Sequence, residues 1–148
     1  MTNKASDEFK PISYGRREDG DFLQTLIDWS RINTIDDICD FKDDEGNQYK
    51  RGIPKNKEEL LALKELVLHD YQIIDIPDEI SSLVNLEVLD IGNNPIIALP
   101  DEVFYLPKLN KLYLYGINPS LLSDSQNEKV AELRKNGCFV QISDDIGM

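Results

Sequence analysis

Apolar residues in the middle of the chain fall into columns 23 positions apart. Leu63, Leu86 and Leu109 share one column, Leu66, Leu89 and Leu112 the next, and Leu68, Ile91 and Leu114 a third. The segment Ile76-Pro77-Asp78-Glu79-Ile80 returns as Leu99-Pro100-Asp101-Glu102-Val103, and Leu83 returns as Leu106. Backwards along the chain, Ile53-Pro54 and Leu60 hold the same phase. A period of this size predicts stacked supersecondary units. Within each unit the Leu-x-Leu alternation predicts a strand with one buried face. Such a strand cannot bury that face alone and must stack on its successor. Pro77 and Pro100 stop strand continuation. The pairs Ile80/Leu83 and Val103/Leu106 have helical spacing. The expected unit is strand, turn, then a short helix or 3₁₀ segment, with successive strands parallel and a right-handed stack.

The middle unit reads Leu86-x-x-Leu89-x-Ile91-x-x-Asn94-x-Ile96-x-x-Leu99-Pro100-x-x-Val103-x-x-Leu106. It resembles the Leu-Pro-containing, 23-residue subtype of leucine-rich repeat proteins, over about residues 53–119. The resemblance implies an α/β fold, a short right-handed leucine-rich repeat solenoid with a parallel concave sheet. It also implies that the concave face is where a protein partner binds. The asparagine position of the repeat is filled only by Asn94, with Tyr71 and Ile117 in the flanking units. An incomplete asparagine ladder is therefore expected.

The flanks divide the rest of the chain. Residues 1–20 are polar and carry Pro11, Gly15 and Gly20, which predicts a flexible N-terminal arm. Residues 21–62 read as a helical N-terminal cap with a degenerate first repeat. Phe22, Leu23, Leu26, Ile27 and Trp29 fit an amphipathic helix opening near Asp21. Thr34, Ile35, Asp37 and Ile38 suggest a second short helix, and Asp40 to Gly52 a polar loop. Asn56 with Glu59 resembles a capping box ahead of Leu60. Repeats span 63–119, and 120–148 reads as a C-terminal cap, helix then edge strand. Val130 and Leu133 share a helical face, Gly137 is a stop signal, and Cys138 to Ile142 form a strand. There Val140 and Ile142 take the places of Leu112 and Leu114, now 28 residues on.

Charge narrows the range of partners. The net charge of the 148-residue chain is −12. The repeats are the most unbalanced part, with 3 basic and 9 acidic residues in 63–119. Such a surface repels phosphate, so no nucleic-acid partner is expected; the acidity is read as support for solubility, with a basic protein partner as the sharper alternative. No apolar run approaches the ~20 residues that span a bilayer, so no membrane association is expected. The first residues lack an apolar stretch, so no secretory signal is expected and the expected location is cytoplasmic. The alternative is a secreted effector exported without a signal peptide. Cys39 and Cys138 are far apart in sequence and are expected to be buried and reduced.

Catalytic and metal signatures are weak. His69 is the sole histidine and has no nearby serine or cysteine in the repeat frame. The stretch Asp40 to Gly46 superficially resembles a calcium loop, but Lys42 and Glu45 stand at its third and sixth positions, the latter where glycine is required. Asn118-Pro119-Ser120 is not a glycosylation acceptor, because proline follows the asparagine. The pairs Asp78/Glu79 and Asp101/Glu102 are read as compensating helix N-termini on the convex side. No enzymatic activity, cofactor or metal is expected.

A binding surface remains, and the register locates it. Outward-pointing residues form three columns: Glu65, Val88, Lys111 and Phe139; then Val67, Asp90, Tyr113 and Gln141; then His69, Gly92, Tyr115 and Ser143. Tyr113, Tyr115 and Phe139 form the expected hot spot, since aromatic side chains on a rigid sheet suit interfaces. The expected protein-binding set is Val67, His69, Val88, Asp90, Lys111, Tyr113, Tyr115, Phe139 and Gln141. The function expected is a cytosolic adaptor or inhibitor. The alternatives are a bacterial effector acting in a host cell, or an acidic immunity-type protein that neutralises a basic toxin. A monomer is expected, with pairing at the Phe139–Val140 edge as the homodimeric alternative.

Overall fold

The predicted strand positions become four short strands: β3 (Glu65–Val67), β4 (Val88–Asp90), β5 (Lys111–Tyr113) and β6 (Phe139–Gln141). The computed structural model of the protein describes residues 21–142. The proposed arm at 1–20 and Ser143 lie outside them. The four strands form one parallel sheet in chain order. Leu66 pairs with Leu89, Leu89 with Leu112 and Leu112 with Val140, so the register follows the 23-residue period and then its 28-residue extension. Leu66, Leu89 and Leu112 are fully buried, as are Ile91 and Leu114. The fold is mixed α/β, with this sheet, three α-helices and no closed barrel among the described residues.

Across the core from the strands lie two stacked 3₁₀ segments, Asp78–Ser82 and Asp101–Tyr105. Pro77 and Pro100 precede them in extended conformation, where their fixed φ ends the preceding stretch. Ile80, Leu83, Val103 and Leu106 project inward and are buried. Glu79 is buried as well, at 3% exposure. Its expected place as a surface charge on the convex side is therefore wrong.

Asn94 joins adjacent units. Its Nδ2 donates to the carbonyls of Leu68, Ile91 and Gly92, and its Oδ1 accepts from the Tyr71 and Ile73 amides. One buried side chain thus satisfies five backbone groups that would otherwise be costly to bury. Tyr71, in the same phase one unit earlier, instead reaches outward and donates its hydroxyl to Asp36.

At the N-terminal end, α1 (Phe22–Ile32) is capped by Asp21, whose carboxylate accepts from the Gln24 amide. It buries Leu26, Ile27 and Trp29. A second helix, α2 (Lys57–Leu61), is capped by Asn56 and buries Leu60. The helix expected at Thr34–Ile38 does not form. Thr34 adopts φ of 52°, which ends α1, and Asp37 bonds locally to the Ile38 amide. Too few residues remain to nucleate a new helix.

The loop expected at Asp40–Gly52 is largely a hairpin, β1 (Cys39–Lys42) antiparallel to β2 (Gln48–Arg51). Asp43 builds its turn: the carboxylate accepts from the Glu45 and Asn47 amides, which holds its carboxyl below the usual range. On this hairpin Cys39 is exposed, contrary to expectation, while Cys138 is buried. Gly52 then pairs antiparallel with Val67, so the hairpin abuts β3. A side chain at Gly52 would strike the Asp36 and Asp37 carbonyls, at 2.6 and 2.5 Å.

At the other end, α3 (Asp124–Lys135) opens with a reciprocal capping box between Ser123 and Gln126. Gln126 also donates to the Leu99 carbonyl and to Asp101, which fastens the helix to the preceding unit. Gly137, with φ of 96°, turns the chain into β6.

Candidate binding face of the sheet

Strand pairing places the outward residues in the expected rows. Glu65, Val88, Lys111 and Phe139 are mutual neighbours across the sheet, as are Val67, Asp90, Tyr113 and Gln141. Glu65, Lys111 and Phe139 are exposed, and Phe139 keeps 51% of its surface. Val88, Asp90, Tyr113, Gln141, His69 and Tyr115 are half-buried. Val67 is different. It is buried at 9% exposure beside the Gly52 bridge, so it offers little contact surface and leaves the expected set.

The aromatic residues come together. The Tyr113 ring lies 5.5 Å from Phe139 and 6.5 Å from Tyr115, the latter edge-on. Gly92 makes room for this arrangement: a Cβ there would sit 2.5 Å from the Tyr115 ring. Tyr115 therefore lies over the Gly92 backbone, with its hydroxyl toward Asp90 Oδ2 at 3.5 Å. Burial raises the Tyr115 phenol well above its ordinary range, and the negative charges of Asp90 and Asp70 add to this.

Asp90 sits in the middle of the face. Its Oδ1 accepts from the Gly92 amide at 3.0 Å. Burial raises its carboxyl above the usual value, and the Gly92 N–H opposes the shift. His69 is held at both ring nitrogens, Nε2 against the Tyr49 hydroxyl and Nδ1 against Asp70, each at 3.1 Å. The Tyr49 and His69 rings also touch, with centroids 5.7 Å apart. Arg51 is placed between Phe41 and Tyr71, 4.9 and 4.6 Å from their ring centres, and donates to the His69 carbonyl.

Tyr49 and Asp70 were not among the expected contacts. Tyr49 arrives on the hairpin, whose short, charge-rich strands carry no clear signal in the sequence. Asp70 turns toward the face through a left-handed backbone, φ 65°. Among the described residues there is no group of three or more His, Cys, Asp or Glu side chains arranged to hold a metal ion. None of their helices is long and apolar enough to cross a membrane.

No family model and no curated protein matches the sequence.

Proposed function

We propose that this chain is a small, capped, right-handed leucine-rich repeat solenoid that acts as a non-enzymatic protein-binding module. In this reading the sheet is its concave face, and the module serves as a cytosolic adaptor or inhibitor. One observation carries the reading: Tyr113 packs against both Tyr115 and Phe139 on the outward side of a parallel sheet whose other side is packed with buried leucines. Rings fixed in this way lose little freedom on binding, which favours affinity. The 23-residue period and the matching strand register support the solenoid. The negative charge of the repeats favours a basic partner. Arg134 donates to the outward-facing Val140 carbonyl, which supports a monomer over edge pairing.

The test compares two double variants in affinity capture and in titration of the captured partner. Tyr113→Ala with Phe139→Ala should weaken binding by more than about a hundredfold, since hot-spot aromatics contribute ~2 kcal/mol or more each. Asp78→Lys with Tyr105→Ala, on exposed positions across the core, should leave binding intact. The opposite result moves the function to the 3₁₀ side.

A further inference from the structure

Asp90 is a charged group that the fold leaves poorly compensated. One of its oxygens accepts from the Gly92 amide, and the other meets only the Tyr115 hydroxyl at the long limit of hydrogen bonding. Among the described residues no lysine or arginine forms an ion pair with it. Asp70 lies on the neighbouring segment, its amide donating to the Gly92 carbonyl at 3.2 Å, and it opposes ionisation of Asp90 while His69 favours it. The Asp70 carboxylate is exposed and lies against His69 Nδ1 at 3.1 Å. A half-buried carboxylate beside an exposed one is stabilised by an added cation, since an opposite charge nearby favours the ionised form.

The surroundings suit a planar cation. The Tyr115 ring covers Gly92 beside Asp90, and the Tyr49 ring packs against His69, which is bonded to Asp70. The chain already holds one guanidinium in this manner, since Arg51 lies between the Phe41 and Tyr71 rings. Arg51 is committed there and to the His69 carbonyl, which leaves the two carboxylates without it. Lys111 is the one lysine or arginine among the outward columns at 65, 67, 69, 88, 90, 92, 111, 113, 115, 139 and 141, and His69 is the one histidine. The face is thus anionic and aromatic, in a repeat segment that is itself acidic.

We propose that Asp90 and Asp70, with the rings of Tyr115 and Tyr49, form a subsite for an arginine side chain of a basic partner segment. The guanidinium would bond to the carboxylates and stack on the rings, a combination that lysine does not match. This inference rests on the sheet face being the binding face, and it names the chemistry recognised there.

The experiment is a titration of the ¹⁵N-labelled full chain, followed by NMR. The probe is an acetylated and amidated Gly-Arg-Gly peptide, and its comparator has citrulline, the neutral isostere, in place of arginine. The expected result is a saturable shift of the Gly92 amide, which is bonded to Asp90, with arginine and none with citrulline. Asp90→Asn should weaken the arginine response roughly tenfold or more, the loss typical of a charge-assisted hydrogen bond. Asp70→Asn should weaken it as well, and it tests the same subsite from an exposed position if Asp90→Asn perturbs the fold. Asp78→Asn, across the core, should leave it unchanged. An equal response to citrulline overturns the proposal. So do unsaturable shifts spread over the acidic surface, or the same shifts appearing with protein concentration alone, which would mean a second copy occupies the face. If the arginine response fails while Tyr113→Ala with Phe139→Ala still loses the partner, the subsite is wrong and the binding face stands. If the arginine response holds while that double variant keeps its partner, the broader reading fails instead.

Discussion

The two ends of the parallel sheet carry the same backbone register and opposite surfaces. At β3 the hairpin abuts the strand, Val67 is buried, and His69 is bonded on both sides of its ring. At β6 the equivalent residue, Gln141, is half-buried beside an exposed Phe139, and Arg134 covers only the outer backbone edge. Val67 and Gln141 occupy the same row, yet one is closed and the other half open. Register thus decides which way a side chain points. What lies beside the terminal strand decides whether anything reaches it.

The largest effect should come from the part both ends share. Leu89 is fully buried in the central strand, and Leu89→Ala should cost about 2–5 kcal/mol. Trp29 fluorescence reports the N-terminal end and far-ultraviolet circular dichroism the whole chain. The two should give one coincident transition, and a loss below about 1 kcal/mol would contradict a core continuous from end to end.

A one-sided disruption sharpens the contrast. Gly52 has φ of 98°, and a Cβ there would lie under 3 Å from two backbone carbonyls. Gly52→Ala should cost about 1–3 kcal/mol. It should loosen the hairpin, raise exchange of the residue-52 amide, which donates to the Val67 carbonyl, and leave Lys111–Tyr113 unaffected. Equal exchange at both ends would show that the hairpin does not close its end locally.

The opposite end is tested by Arg134→Ala. Losing the bond to Val140 should cost about 1 kcal/mol. It should also free a strand edge, so association detected by light scattering should rise with concentration. A variant that stays monomeric would mean that the edge is protected by something other than this guanidinium.

The smallest effect concerns Asp90, between the two ends. Burial raises its folded carboxyl above the ordinary carboxylate value, so the native state holds the proton more tightly than the unfolded chain. Ionisation therefore subtracts stability. The loss is absent below the unfolded value and complete once pH has risen past the folded one. Asp90→Asn should match the parent in strongly acidic solution and melt slightly higher at neutral pH, while arginine binding falls. A variant less stable at neutral pH would mean that the carboxylate serves the fold.

Much of this architecture could be read from the leucine columns. A 23-residue period leaves no freedom in pairing Leu66, Leu89 and Leu112, because a slip of one residue turns every leucine outward. The C-terminal extension was legible for the same reason. The hairpin was not. Its strands are four residues each, solvated and rich in charge, so no buried face imposes a period. Three consequences were lost with it: the burial of Val67, the exposure of Cys39, and the arrival of Tyr49 at His69. The burial of Glu79 escaped notice because a carboxylate at the start of a short helix has a sufficient surface explanation. Tyr113, Tyr115 and Phe139 were legible as neighbours by register alone. The role of Gly92 in seating Tyr115 was not, since a residue without a side chain gives no sign of what lies over it.

Asn94 has a consequence for cooperativity. The turns after β3 and β4 hang from the same amide group, with Tyr71 and Ile73 on one side and Ile91 and Gly92 on the other. Neither turn can open without releasing the side chain that holds the other. The two should therefore behave as a single opening unit, with the Tyr71 and Ile73 amides sharing one protection factor in hydrogen exchange.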